Sequence, residues 1–296
     1  MTDKPISPLR QRMIEDMTVR GYTRATQRAY ITMIREFTKF FGCSPDQASA
    51  DDLRRYQVHM RENGASDISM NAAVSALRFF FGTTLGRNDA QTGMTTVRVP
   101  KRVPVILSED EVRRLLQAAA GLKYRAAFSL AYGAGLRASE VVGLKISDID
   151  SAPDRMLLRI EQAKGRKDRY AKLSKPMLNL LKAWWKAGYA SGVMLPGGWL
   201  FPGQNPVNHL TPRQLRRALD NAKQAAGIDK PMTLHTLRHC FASHLLDQGV
   251  DIRVIQVLLG HVKLETTARY VRVASSTLRS VKSPLDHLDL GPLPPD

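Results

Sequence analysis

Four short strings carry side chains suited to anion binding, proton transfer and nucleophilic attack. The first is Gly135-Leu136-Arg137-Ala138-Ser139-Glu140. Arg137 and Glu140 are three residues apart, so on a helix they share a face and can pair. The second is Lys164-Gly165-Arg166-Lys167-Asp168, a polar tip between two β-like stretches, where a lysine on a turn can reach into a site as a proton donor. The third is Leu234-His235-Thr236-Leu237-Arg238-His239, which puts His235, Arg238 and His239 at i, i+3 and i+4. The fourth is Leu258-Leu259-Gly260-His261, with Tyr270 nine residues further on. Gly260 fits the residue that follows a helix, turning the chain and leaving His261 in the turn.

If the substrate is a phosphodiester, these residue types have clear uses. Attack on phosphorus builds charge on the non-bridging oxygens, and planar guanidinium groups such as Arg137 and Arg238 meet it with bidentate hydrogen bonds. A phenol has a pKa of about 10, so a nucleophilic Tyr270 needs nearby positive charge, a base, or both. His235 is the best candidate base, because imidazole titrates near neutrality.

Each string alone also has a bland reading. Arg137 and Glu140 read as a surface ion pair, the lysine turn as a solvated hairpin tip, and Tyr270 as a core residue. Two histidines four apart suggest zinc, but Thr236 stands where the zinc-protease pattern needs glutamate, and no third ligand is near. Gly133-Ala134-Gly135-Leu136-Arg137-Ala138 matches a dinucleotide-binding string, yet a helix precedes it rather than the required strand.

The elements that would position these groups are mostly helical. Helices are expected at 6–19, from the Thr23 cap to 41, at 50–62 and at 69–81. Tyr30, Ile34, Phe37 and Phe41 make one apolar stripe, and Arg24, Arg28 and Arg35 fall on another face. Residues 87–105 read as a linker containing Arg98, Lys101 and Arg102, which divides a 1–86 domain from a 106–290 domain with a 291–296 tail. Ser108 and Glu111 form a capping box that opens the second domain. Helices follow to 120, at 124–132, 137–144, 176–186, 211–226, 234–246, 252–259 and 266–273. Two short strands at 156–160 and 169–173 flank the lysine turn, and 188–208 reads as irregular.

The chain has 296 residues and 43% hydrophobic residues, enough for two cored domains. Its net charge of +17 favours a polyanionic partner, most commonly nucleic acid. The charge is +4 over residues 1–100 and +13 over 101–296. Cys43 and Cys240 are too few and too far apart for a disulfide framework, which fits a reducing cytoplasm. No long apolar run or signal core stands out, so neither a membrane span nor export is expected.

Taken together, in the order Arg, Lys, His-x-x-Arg, His, Tyr, the strings GLRASE, AKGRKDR, HTLRH, LLGH and TTARY resemble the tyrosine recombinase family. This family includes phage integrases, Xer-type recombinases and integron integrases, and the likeness runs from about Thr23 to Val273. The ending at Arg279 to Asp286 is also similar to integron integrases.

The resemblance implies a mainly α fold. It comprises an N-terminal four-helix SAM-like DNA-binding domain and a mostly helical catalytic domain with a small antiparallel β-sheet. It implies a site-specific recombinase that joins DNA through a 3′-phosphotyrosyl link on Tyr270. It gives the leaving-group proton to Lys164, with Lys167 as runner-up. His261 would donate to the phosphate, Glu140 would hold the first arginine helix, and His239 would take a structural hydrogen bond. Arg24, Arg28, Arg35, Arg98, Lys101, Arg102, Arg166 and Lys167 are candidate DNA contacts. No metal, cofactor or ATP is expected, since the arginines supply the charge and the tyrosyl link keeps the bond energy.

Expected partners are duplex recombination sites, a homotetramer with a dimer per site, and DNA-bending accessory proteins, in the cytoplasm on the nucleoid. The tail 274–290 either docks on a neighbouring subunit, packs in cis or is disordered. Two other readings stay open: a non-catalytic DNA-binding regulator, and a type IB topoisomerase-like enzyme acting alone. The sequence names neither the DNA site nor the element served.

Overall fold

A computed structural model describes residues 7–100, 103–163 and 167–260; the side chains of 90–91, 162–163 and 167 are outside that description. The chain divides into two compact units, 1–101 and 102–296.

The first unit is built from four helices: α1 (Pro8–Val19), α2 (Arg24–Phe41), α3 (Ala50–Glu62) and α4 (Asp67–Arg78). Each begins where a Ser or Thr side chain accepts from the first turn, which satisfies one of the orphan N–H groups there. At α3, Ser49 and Asp52 cap each other reciprocally. The apolar stripe of α2 faces the core as expected, with Ile34 and Phe37 buried and Tyr30 and Phe41 packed beside them. Phe37 meets the edge of Tyr56 at 5.1 Å between ring centres.

The fourth helix starts two residues earlier than its expected Ser69 and widens into a π turn over Phe79–Thr84. That turn buries three consecutive phenylalanines, Phe79, Phe80 and Phe81.

The expected linker starts as part of the first unit. Met94 is in the core, and side-chain amides hold the extended chain that follows. Gln57 exchanges two hydrogen bonds with Thr95 (2.7 and 3.0 Å), and Asn71 two with Val97 (2.7 and 2.8 Å). These amides take the place of a neighbouring strand, a pairing between distant residues that local periodicity does not reveal.

The second unit wraps helices around α6 (Gly121–Gly133), in which Ala126 to Ala131 are buried without a break. The preceding helix, α5 (Glu109–Gln117), opens on the expected Ser108–Glu111 box. After α6 come α7 (Ala138–Val142) and an antiparallel sheet of order β1-β2-β3: β1 (Ile149–Asp150), β2 (Leu157–Ala163) and β3 (Lys167–Lys172). Leu158 pairs with Ala171 and Ile160 with Arg169. Leu158, Ile160 and Ala171 are buried, so this face of the hairpin lies on the core.

The remaining helices are α8 (Lys175–Ala190), α9 (Pro212–Ala225), α10 (Leu234–Asp247) and α11 (Ile252–Leu259). Within the 188–208 stretch, Leu200 and Phe201 are buried, and the Trp184 indole donates to the Leu200 carbonyl at 2.8 Å. The helix expected at 266–273 lies outside the described residues.

Candidate active site

The site is assembled where α7, β3, α10 and the end of α11 meet. Gly135, in the turn after α6, has φ +61°, and a Cβ there would lie 2.6 Å from Phe241 Cδ1. Both the backbone and the close approach of α10 therefore require glycine. Arg137 follows as the N-cap of α7, with extended φ −74° and ψ 155°. Its backbone N–H donates to Glu140 Oε2 at 2.8 Å, and its Nη1 donates to Oε1 at 2.6 Å.

The pair is not the surface contact that its local pattern suggests. The Glu140 side chain is 7% exposed and that of Arg137 24%. The carboxylate also receives Arg169 Nη2 at 2.8 Å, and Arg238 Nη1 lies 3.8 Å from it. Burial pushes the Glu140 carboxyl up, but the Arg169 charge and the bonds from Arg137 outweigh it and hold the pKa below the ordinary glutamate value.

Arg238 is fully buried. Its Nη1 donates to the Gly135 carbonyl and its Nη2 to the Leu259 carbonyl, each at 2.5 Å. One guanidinium thus ties the turn before Arg137 to the end of α11. That helix ends at Gly260 in the left-handed region, φ 62° and ψ 42°, as expected. His235 and His239 lie one turn apart on α10 with ring centres 4.5 Å apart at 74°. His235 is exposed and His239 half-buried. So Arg137, Glu140 and Arg238 come together, while Lys164, His261 and Tyr270 lie outside the described residues.

Sequence reasoning missed Arg169. It sits on β3, its side chain 11% exposed, and bridges Glu140 and the Leu258 carbonyl (Nη1, 2.9 Å). Its position in the string Arg166-Lys167-Asp168-Arg169 was the available signal, but the partners lie far along the chain.

Two other reactive side chains near α10 are held inert. Tyr132 bonds to His244 Nδ1 at 2.9 Å, and burial pushes its phenol up to about 12. Burial likewise pushes the Cys240 thiol up to about 11.

Residues 106–277 match the phage integrase family, and residues 9–90 match the phage integrase N-terminal SAM-like domain. The chain belongs to the phage integrase family. It is a tyrosine site-specific recombinase, mainly helical with a small antiparallel sheet. A Sinorhizobium fredii protein that carries an integrase/recombinase name is 41% identical over 98% of this chain and 92% of its own length. Tyrosine recombinase XerD of Caulobacter vibrioides is 33% identical, covering 90% and 92% of the two chains. Among solved structures, a lambda integrase dimer bound to a core site aligns with TM-score 0.68 and 20% identity over 87% of this recombinase and 95% of that chain.

The DNA-contact candidates of the recombinase fall in several places. Arg24, Arg28 and Arg35 are exposed on α2 and line a groove of about 1110 Å³ in the first unit, whose walls include Met13, Ile31 and Phe80. Arg98 is exposed. Lys101, Arg102 and Arg166 lie outside the described residues, as does the Lys167 side chain, although its backbone opens β3.

Proposed function

We propose that the recombinase cleaves duplex DNA at the Arg137–Glu140–Arg238 cluster with Tyr270 as the nucleophile. The observation that carries this reading is the convergence of two arginines, distant in sequence, on one buried carboxylate. Among the described residues three guanidinium groups surround the Glu140 carboxylate, an excess of positive charge that suits a phosphate.

The phenolic oxygen of Tyr270 attacks phosphorus, and the P–O5′ bond breaks. His235 takes the phenol proton and Lys164 gives a proton to the departing 5′ oxygen. Arg137, whose side chain reaches the surface, donates to the non-bridging oxygens, while Arg238, buried with both terminal nitrogens on backbone carbonyls, adds its positive charge from beneath, with His261 as a further donor. The product is a 3′-phosphotyrosyl bond and a free 5′ hydroxyl. A 5′ hydroxyl from a partner strand reverses the step onto a new strand, with no ATP or metal.

The 1–86 domain and the 106–290 domain both grip the duplex, and four copies act on two sites. A lambda integrase of similar fold is a dimer on a core site, which supports two copies on one duplex site. The enzyme works in the cytoplasm, on the nucleoid.

A nicked suicide duplex tests the chemistry. Incubation with the wild type gives a covalent adduct on a denaturing gel, and Tyr270→Phe gives none. An adduct that persists in Tyr270→Phe moves the nucleophile elsewhere, and no adduct on a cognate site leaves a DNA-binding regulator. Joint products between two duplexes separate recombination from relaxation by a lone enzyme.

A further inference from the structure

We infer that Arg169 is a positioning residue for strand cleavage: by bridging Glu140 and the Leu258 carbonyl, it fixes the Arg137 guanidinium and the chain exit at Gly260 relative to each other. This rests on the cleavage site proposed above. Arg169 acts through Glu140 and the end of α11.

Three features support the inference. First, Glu140 has two oxygens with separate duties. Oε1 holds the Arg137 side chain, while Oε2 takes the Arg137 backbone and Arg169 Nη2. A carboxylate held on both oxygens keeps its plane, and so keeps the direction of the guanidinium it holds.

Second, the other terminal nitrogen of Arg169 holds the Leu258 carbonyl, beside the Leu259 carbonyl that Arg238 holds. The end of α11 is therefore gripped by two arginines from different elements. The Arg169 side chain also packs directly on Gly260, since a Cβ there would lie 2.6 Å from Arg169 Cδ. His261 is the next residue, so the direction of the chain at Gly260 sets where that histidine starts.

Third, Arg169 stands on β3, the strand that follows Lys164 in the chain. One guanidinium links the hairpin that carries Lys164 to the arginine cluster. A purely stabilising ion pair would need only one of these partners. Lysine carries all three of its N–H donors on one nitrogen, so it spans less well than Arg169, which reaches the carbonyl and the carboxylate from two separate nitrogens.

The test uses the full-length protein on a nicked duplex, measuring DNA affinity and the rate of adduct formation at saturating DNA separately. Circular dichroism checks the fold of each variant. In Arg169→Ala, adduct formation slows on the order of 100-fold, the scale of a small misplacement of groups around the reacting atoms, while affinity stays within about threefold. Arg169→Lys folds and recovers only part of the rate.

The pH profile adds a readout that loss of stability alone would not produce. Among the described residues, the charged groups facing Glu140 are Arg137 from the α7 cap, Arg169 from β3 and Arg238 from α10; His235 and His239 are titratable groups on the turns of α10 flanking Arg238. Without Arg169 the buried carboxyl protonates at higher pH, so a second acid limb, below the one set by the His235 base, moves up in Arg169→Ala. Wild-type cleavage by Arg169→Ala or by Arg169→Lys overturns the inference, as does a loss of DNA affinity parallel to the loss of rate. Should Arg169→Ala fail to fold, the Lys variant alone decides. If the wild type forms no adduct, the reading of the cleavage site fails rather than the role of Arg169.

Discussion

Glu140 and the arginines around it differ in what their removal should do. Glu140→Ala leaves buried guanidinium groups without their carboxylate, a change that typically costs about 3–5 kcal/mol. Chemical denaturation of the full chain checks this, and a loss under about 1 kcal/mol would mean that the pair contributes as surface pairs do. Because the folded state lowers the Glu140 pKa, this contribution is intact above the unfolded glutamate value of about 4.3. It is lost as the pH falls from there through the lower folded value. Arg137→Ala acts differently. Its side chain reaches the surface, so DNA binding persists, while cleavage loses about 3–4 kcal/mol of transition-state stabilisation. Binding and cleavage that vanish together would make Arg137 an ordinary contact residue.

Elements, rather than residues, decide how these groups meet, and here the sequence is readable only in part. Helix starts are local: Ser108 with Glu111, and Thr23 before α2, announce themselves within one turn. The end of α11 at Gly260 is local too. What was hidden is pairing across the chain. Nothing near Arg169 in sequence points to Glu140 or Leu258, and nothing near Asn71 points to Val97. The same distinction applies to glycines. Gly64 and Gly260 both have positive φ, but a Cβ at Gly64 meets nothing within 4 Å, whereas at Gly260 it strikes Arg169. Gly64→Ala should cost about 1–2 kcal/mol from the left-handed backbone alone. Gly260→Ala should cost more and also slow cleavage. Thermal unfolding and adduct rates of the two variants check this, and equal effects would remove any special role for the Arg169 contact.

At the scale of the whole molecule, charge sets how the recombinase finds DNA. A net charge of +17 means that binding releases counterions, so affinity should fall steeply and linearly in logarithmic terms as salt rises. Filter binding between about 50 and 200 mM salt measures the slope. A flat response would contradict an electrostatic grip. The uneven placement of charge, +13 in residues 101–296 against +4 in 1–100, assigns most of that slope to the second part of the chain. The central claim is nonetheless about one bond. Trapping the adduct on a suicide duplex, digesting it with nuclease and trypsin, and locating the nucleotide by mass spectrometry tests it most directly. The account predicts a nucleotide carried on the phenolic oxygen of Tyr270; a nucleotide on any other residue, or none on a cleaved cognate site, would contradict it.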